Sequence, residues 1–131
     1  MINVLIVENL EKLSKIYKEN ILRTFYGQVA VDIASNSMEA LEKVRHLHIY
    51  DIIVIDMQMP LASGIALGQA LRRAGFCNLL IAHTALGIQA AKEAMTKGQM
   101  NGFSVKSSTG QGLLKILKHY RPYSTPQALA A

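Results

Sequence analysis

A chain of 131 residues, half of them hydrophobic and 18% charged, carries enough apolar surface for one packed domain and is not disordered in composition. No apolar run reaches the roughly eighteen residues that span a bilayer, and the N-terminal stretch lacks a signal-peptide pattern. The single Cys77 excludes an internal disulfide and fits a reducing, cytoplasmic setting. The net charge of +5 is uneven, −2 over residues 1–56 and +7 over residues 57–131. Its basic residues are dispersed without aromatic interleaving, so neither direct DNA binding nor membrane binding is expected of this chain.

Residues 2–7 read as a first strand, short, β-branched and closed by Glu8-Asn9. Leu10, Leu13, Tyr17, Ile21 and Phe25 recur at helical spacing until Gly27. Residues 29–34 form a second strand. Asn36 and Glu39 are placed as a cap and its reciprocal partner, opening a helix with Met38, Leu41, Val44 and Leu47 inside. The continuous apolar run 52–55 suits a strand buried on both faces. After the Met59-Pro60 turn a helix is expected over 63–74, then a strand over 79–82 and a helix over 88–97 stopped by Gly98. A short strand over 103–105 precedes a helix capped by Thr109, with an apolar stripe of Leu113, Ile116, Leu117 and Tyr120 that Pro122 ends.

Five successive βα units predict an α/β fold, a flavodoxin-like (βα)5 doubly wound sandwich with a five-stranded parallel sheet of order 2-1-3-4-5. One domain is expected over residues 1–121, with 122–131 as a flexible tail. In such sheets ligands bind beyond the carboxyl ends of the strands. Those ends deliver Glu8-Asn9, Asp56, His83-Thr84 and Lys106. Paired acids suit a hard divalent cation such as Mg²⁺. Asp56, the acid ending the central strand, is the candidate nucleophile for an acyl phosphate, with Lys106 neutralising charge and Thr84 donating to a phosphoryl oxygen.

The segments VLIVEN at 4–9, IIVIDMQMP at 52–60 with Gly64 beyond it, Thr84-Ala85, and FSVK at 103–106 resemble the bacterial response-regulator receiver domain, CheY-like in kind. The similarity covers about residues 2–120. It implies that Asp56 takes a phosphoryl group from a histidine kinase or phosphotransfer protein in two-component phosphorelay signalling. It further implies a metal site of Glu8, Asn9, Asp56 and the Gln58 backbone carbonyl, and a switch in which Phe103 moves with Thr84. The switched surface is the fourth helix, fifth strand and fifth helix, facing a downstream effector or a second copy. A phosphoacceptor of this kind is not a turnover enzyme.

Two departures stand out. Asn9 occupies a position where the family usually has an acid, so weak Mg²⁺ binding is expected; the residue is equally readable as a helix N-cap. Ser107 follows Lys106 where many receivers have proline, so an ordinary trans bond is expected, and this pairing resembles receivers of helix-turn-helix transcription regulators. The alternative is an atypical pseudo-receiver, a phosphorylation-independent interaction module. An enzyme or cofactor carrier on this scaffold is disfavoured, because Glu8-Asn9-Leu10-Glu11 is no anion-binding loop. His83 is read as structural, turned away from Thr84 by strand alternation, and Cys77 as a small apolar residue at a strand lip. His46 and His48, two apart on a helix, cannot share a metal. Lys115, Lys118 and His119 read as a solvated helix face. The end, residues 128–131, resembles a tag read by a bacterial unfoldase, although a plain alanine-rich end is the preferred reading.

Overall fold

The computed structural model describes residues 1–58, 61–85, 87–107 and 110–120. Its elements alternate strictly: β1 (Ile2–Val7), α1 (Glu11–Thr24), β2 (Val29–Ala34), α2 (Ser37–Leu47), β3 (Ile52–Asp56), α3 (Leu61–Arg73), β4 (Leu79–Thr84), α4 (Ile88–Lys97), β5 (Gly102–Val105) and α5 (Gln111–His119). The strands pair in parallel in the order β2-β1-β3-β4-β5. This is the expected five-stranded flavodoxin-like topology.

Alternation along the strands feeds two cores. Leu5, Val7, Ile53, Ile55, Leu80 and Ala82 pack with residues of α2, α3 and α4. Val4, Ile6, Ile52, Val54, Leu79 and Ile81 pack with Tyr17 and Ile21 of α1 and Leu113 and Leu117 of α5. Each side chain of this size contributes about 1.5–3 kcal/mol on full burial, so register is set from both faces at once.

Several boundaries differ from the sequence reading. β3 runs one residue further, to Asp56, and β4 two further, to Thr84, because the main chain still finds parallel ladder partners there. α3 opens at Leu61, ahead of Ser63. On α1 the exposed Leu10 leaves the apolar stripe, and Ser14 is buried beside Tyr17 and Ile21 with its hydroxyl donating to the Glu11 carbonyl. On α2, Met38 and Leu47 are exposed, and Ala40 and Val44 make the buried stripe. Asn36 does cap α2, accepting from the Glu39 amide, but the Glu39 carboxylate returns to the amide and hydroxyl of Ser35 rather than to Asn36. Cys77 is exposed, contrary to the apolar reading, because it precedes β4 in a connection on the surface.

The Met59-Pro60 turn, the Thr109 cap, Pro122 and the 122–131 tail lie outside the described residues. Two glycines are dictated by space or backbone. Gly110, in the left-handed region at φ +74°, opens α5, and a Cβ there would lie 2.8 Å from Cδ1 of Tyr17. Gly68 lets α3 approach α4, since a Cβ would overlap the Gly98 carbonyl.

Candidate functional site

Parallel pairing brings a row of polar side chains to one level of the sheet. Val7 pairs with Ile55, so Glu8 follows level with Asp56; Asp56 pairs with His83, and His83 with Ser104. All four lie on the face that packs against α1 and α5, and all are buried, at 2%, 2%, 1% and 4% exposure. Four buried polar groups in one row are costly unless they satisfy one another.

Lys106, one pleat beyond Ser104, supplies the charge. Its ammonium donates to Asp56 Oδ1 at 2.9 Å and lies 3.3 Å from Glu8 Oε1, with the side chain 9% exposed. Its own amide is fixed by the Thr84 carbonyl at 2.8 Å. Asp56 Oδ1 also accepts from the Gln58 amide at 2.9 Å. The Gln58 main chain is thereby tied to the carboxylate through its N–H. Glu8 Oε2 accepts from the Leu10 amide, which places the start of α1 on the same carboxyl.

Burial pushes the Glu8 carboxyl above its ordinary value, and the hydrogen bond and negative charge of Asp56 add to this. Burial opposes ionisation of Asp56 as well. Hydrogen bonds with Glu8, the Gln58 amide and Lys106 outweigh it and hold Asp56 below its ordinary range. Burial likewise pulls the Lys106 ammonium down, but Asp56 and Glu8 more than restore it, so it stays charged. The two acids are therefore driven apart, Glu8 upwards and Asp56 downwards, and the Lys106 ammonium faces both.

A cation fits this arrangement. Among the described residues the buried Glu8 Oε1 accepts no hydrogen bond, and it faces the Lys106 ammonium at 3.3 Å. Two neighbouring buried carboxyl groups are a donor set for a hard divalent ion. Among the described residues no third His, Cys, Asp or Glu joins them. Further positions at such an ion would fall to neutral oxygens, and the exposed Asn9 stands at the rim. Asn9 is not the cap of α1, because Leu10 occupies that position without a side-chain bond.

Thr84 and Phe103 occupy the other face of the sheet. Thr84 is buried, one residue beyond His83, and Phe103 pairs with Ala82, so the two share a face one pleat apart. Phe103 is 37% exposed and lines a groove of about 490 Å³ between β5 and α5 with Val105, Lys115, Ile116 and His119.

Sequence reading set His83 aside because alternation turns it from Thr84. The same alternation turns it to Asp56's face. Its Nδ1 lies 2.6 Å from Ser104 Oγ, its buried Nε2 has no hydrogen-bond partner among the described residues, and its ring meets Tyr17 edge to face at 5.2 Å. Burial, aided by the Lys106 charge, lowers its pKa to about 4 and keeps the imidazole neutral. One alternate residue back from Lys106 is Ser104, and once the register is known His83 follows as the ladder partner of both Ser104 and Asp56. His46 and His48 are exposed and remain apart from the site.

A five-stranded parallel sheet with a buried aspartate at its central strand end, flanked by an acid and a lysine, is the fold and strand-end arrangement of a signalling receiver module. The chain belongs to the response regulator receiver domain family, whose model matches residues 4–118. It is a receiver domain of the two-component type. It is 29% identical over 122 residues to Two-component response regulator ORR41 of Oryza sativa subsp. japonica, covering 92% of this chain and 95% of that protein. Among solved structures it is similar to the beryllofluoride-activated NtrC4 receiver domain dimer, with TM-score 0.74 and 25% identity over 91% of this chain and 95% of that one. It also shares its fold with the response regulator TrrA of Thermotoga maritima in complex with Mg²⁺-BeF, at TM-score 0.74 and 24% identity over 90% and 97% of the two chains.

Proposed function

We propose that the chain is a phosphorylation-dependent switch in which Asp56 receives a phosphoryl group from a phosphohistidine of a kinase or phosphotransfer protein. The observation that carries this reading is the convergence of Asp56, Glu8 and Lys106 in one buried cluster. Lys106 and the Gln58 amide occupy Oδ1, which leaves the other Asp56 oxygen to attack phosphorus. The new O–P bond forms as the P–N bond of the donor breaks, and the imidazole leaves with a proton. Mg²⁺ held by Glu8 and Asp56, with Asn9 and the Gln58 carbonyl at its edge, would supply charge neutralisation for the phosphoryl oxygens. Lys106 stabilises the same charge from the β5 side, and Thr84 donates to a phosphoryl oxygen.

Phe103, on the sheet face of Thr84, carries the change to the surface of α4, β5 and α5, where an effector or a second copy binds. The NtrC4 receiver's dimeric state supports the second option. The domain acts as acceptor, not as a turnover enzyme, and works in the cytoplasm, in keeping with its lone exposed cysteine. Among the described residues no helix is long and apolar enough to cross a membrane. A bacterial origin and kinship with helix-turn-helix regulators rest on the sequence resemblance, the latter on Lys106-Ser107.

Asn9 favours the alternative, a pseudo-receiver that binds partners without phosphate, because it removes one charge from the cation site. Intact mass after incubation with acetyl phosphate and Mg²⁺ separates the two. The switch gains one phosphoryl group, and Asp56→Asn gains none. No gain at any Mg²⁺ concentration identifies the pseudo-receiver.

A further inference from the structure

Lys106 reaches the two carboxylates on a long, flexible stem, so the direction of the main chain at residues 104–107 decides where its ammonium sits. Before Lys106, that segment is tied to β4 by the Ser104 hydroxyl on His83 and by the Lys106 amide on the Thr84 carbonyl. After Lys106, the Ser107 hydroxyl is committed to the amides of Gly110 and Gln111 at the start of α5. The Ser107 carbonyl is held from elsewhere. Tyr17 of α1 donates its hydroxyl to it at 3.2 Å across 90 residues of sequence.

Tyr17 is placed to do this with little freedom. It is 1% exposed, its ring stands at 89° to the His83 ring, and its Cδ1 edge occupies the space that a side chain at Gly110 would need. One aromatic side chain therefore meets both anchors of the Lys106 segment, His83 on the β4 side and Ser107 and Gly110 on the α5 side.

We propose that Tyr17 is a positioning residue for Lys106: by holding the Ser107 carbonyl and the His83 ring it fixes the ammonium between Asp56 and Glu8, a role whose kinetic consequence rests on the reading of Asp56 as the phosphoacceptor. Helix α1 thereby contributes to the site through its buried face as well as through its start at Glu8-Leu10.

The test is Tyr17→Phe, which keeps the ring and removes the hydroxyl. Phosphoryl uptake from acetyl phosphate at saturating Mg²⁺ is expected to slow about tenfold, within the range that small misplacements of a reacting group produce. In a Lys106→Ala background the same substitution is expected to change nothing further, because the group being positioned is gone. An unchanged rate in Tyr17→Phe, or an equal loss in both backgrounds, overturns the proposal.

A readout without phosphate accompanies it. The ¹⁵Nζ resonance of Lys106, held by two carboxylates, is expected to be discrete in the wild-type protein and to broaden or shift in Tyr17→Phe. An identical resonance in both proteins overturns the placement. A wild-type protein that takes no phosphate, yet shows the Tyr17-dependent resonance, refutes the phosphoacceptor reading and sustains the positioning one.

Discussion

Asp56 and His83 are register partners on adjacent parallel strands, so a buried carboxylate that must ionise stands level with a buried imidazole that must not. Lys106 enforces both states. Its ammonium hydrogen-bonds Asp56 and favours the anion, while its field, added to burial, opposes a second positive charge on His83.

The depressed His83 pKa has a pH signature. Its ordinary value of 6.5 falls to about 4 in the fold, so the contribution is fully present above pH 6.5 and is lost as pH falls from 6.5 towards 4. The full difference amounts to about 3 kcal/mol. Urea unfolding at a series of pH values is expected to show a shallower decline over this window for His83→Gln than for the wild-type protein. Parallel curves would show that the imidazole does not resist protonation.

Asn9→Asp adds a carboxylate at the rim of the Glu8–Asp56 pair. Mg²⁺ affinity is expected to rise by roughly tenfold, since ligand charge count tunes such sites over decades. Isothermal titration, or the quenching of a tyrosine signal by the ion, measures it. Equal affinities would place the residue 9 side chain outside the ion's reach.

Gly110→Ala combines two penalties, a side chain at φ +74° and a Cβ driven against the Tyr17 ring. The backbone cost alone is about 1–2 kcal/mol. A lowered midpoint in thermal unfolding is expected, with a disturbed Tyr17 environment by near-ultraviolet dichroism. Retained stability and spectrum would mean that the backbone at Gly110 rearranges freely.

Gly68→Ala forces α3 from α4, because the added methyl has a backbone carbonyl rather than a flexible side chain in its way. Overpacking of this kind costs typically about 1–3 kcal/mol. Denaturant midpoints check the loss. An unaffected midpoint would show that α4 shifts on the sheet with little resistance.

The alternation of apolar runs and helical stripes was enough to predict five βα units, because each strand is buried on both faces and each helix on one. The strand-end residues Glu8, Asp56, Thr84 and Lys106 were legible for the same reason, since a parallel sheet delivers its strand ends to one edge. Helix details were less so. Met38 and Leu47 look internal by spacing, yet it is Ala40 that joins the expected Val44 at the interface, because a small residue admits the sheet more closely than a long one.

What only the tertiary structure decided is which side chains share a level and a face. Local sequence places His83 beside Thr84. Strand register across β3, β4 and β5 places it instead in a row with Asp56 and Ser104, distant stretches of sequence brought together by a ladder of backbone bonds. Tyr17 reads as one more apolar stripe residue on α1, and nothing within its own helix announces that its hydroxyl meets the Ser107 carbonyl. Periodicity is a property of neighbours along the chain and survives in one dimension. Register and hydrogen-bond partnership are properties of distant segments, set by the packing of two cores against one sheet.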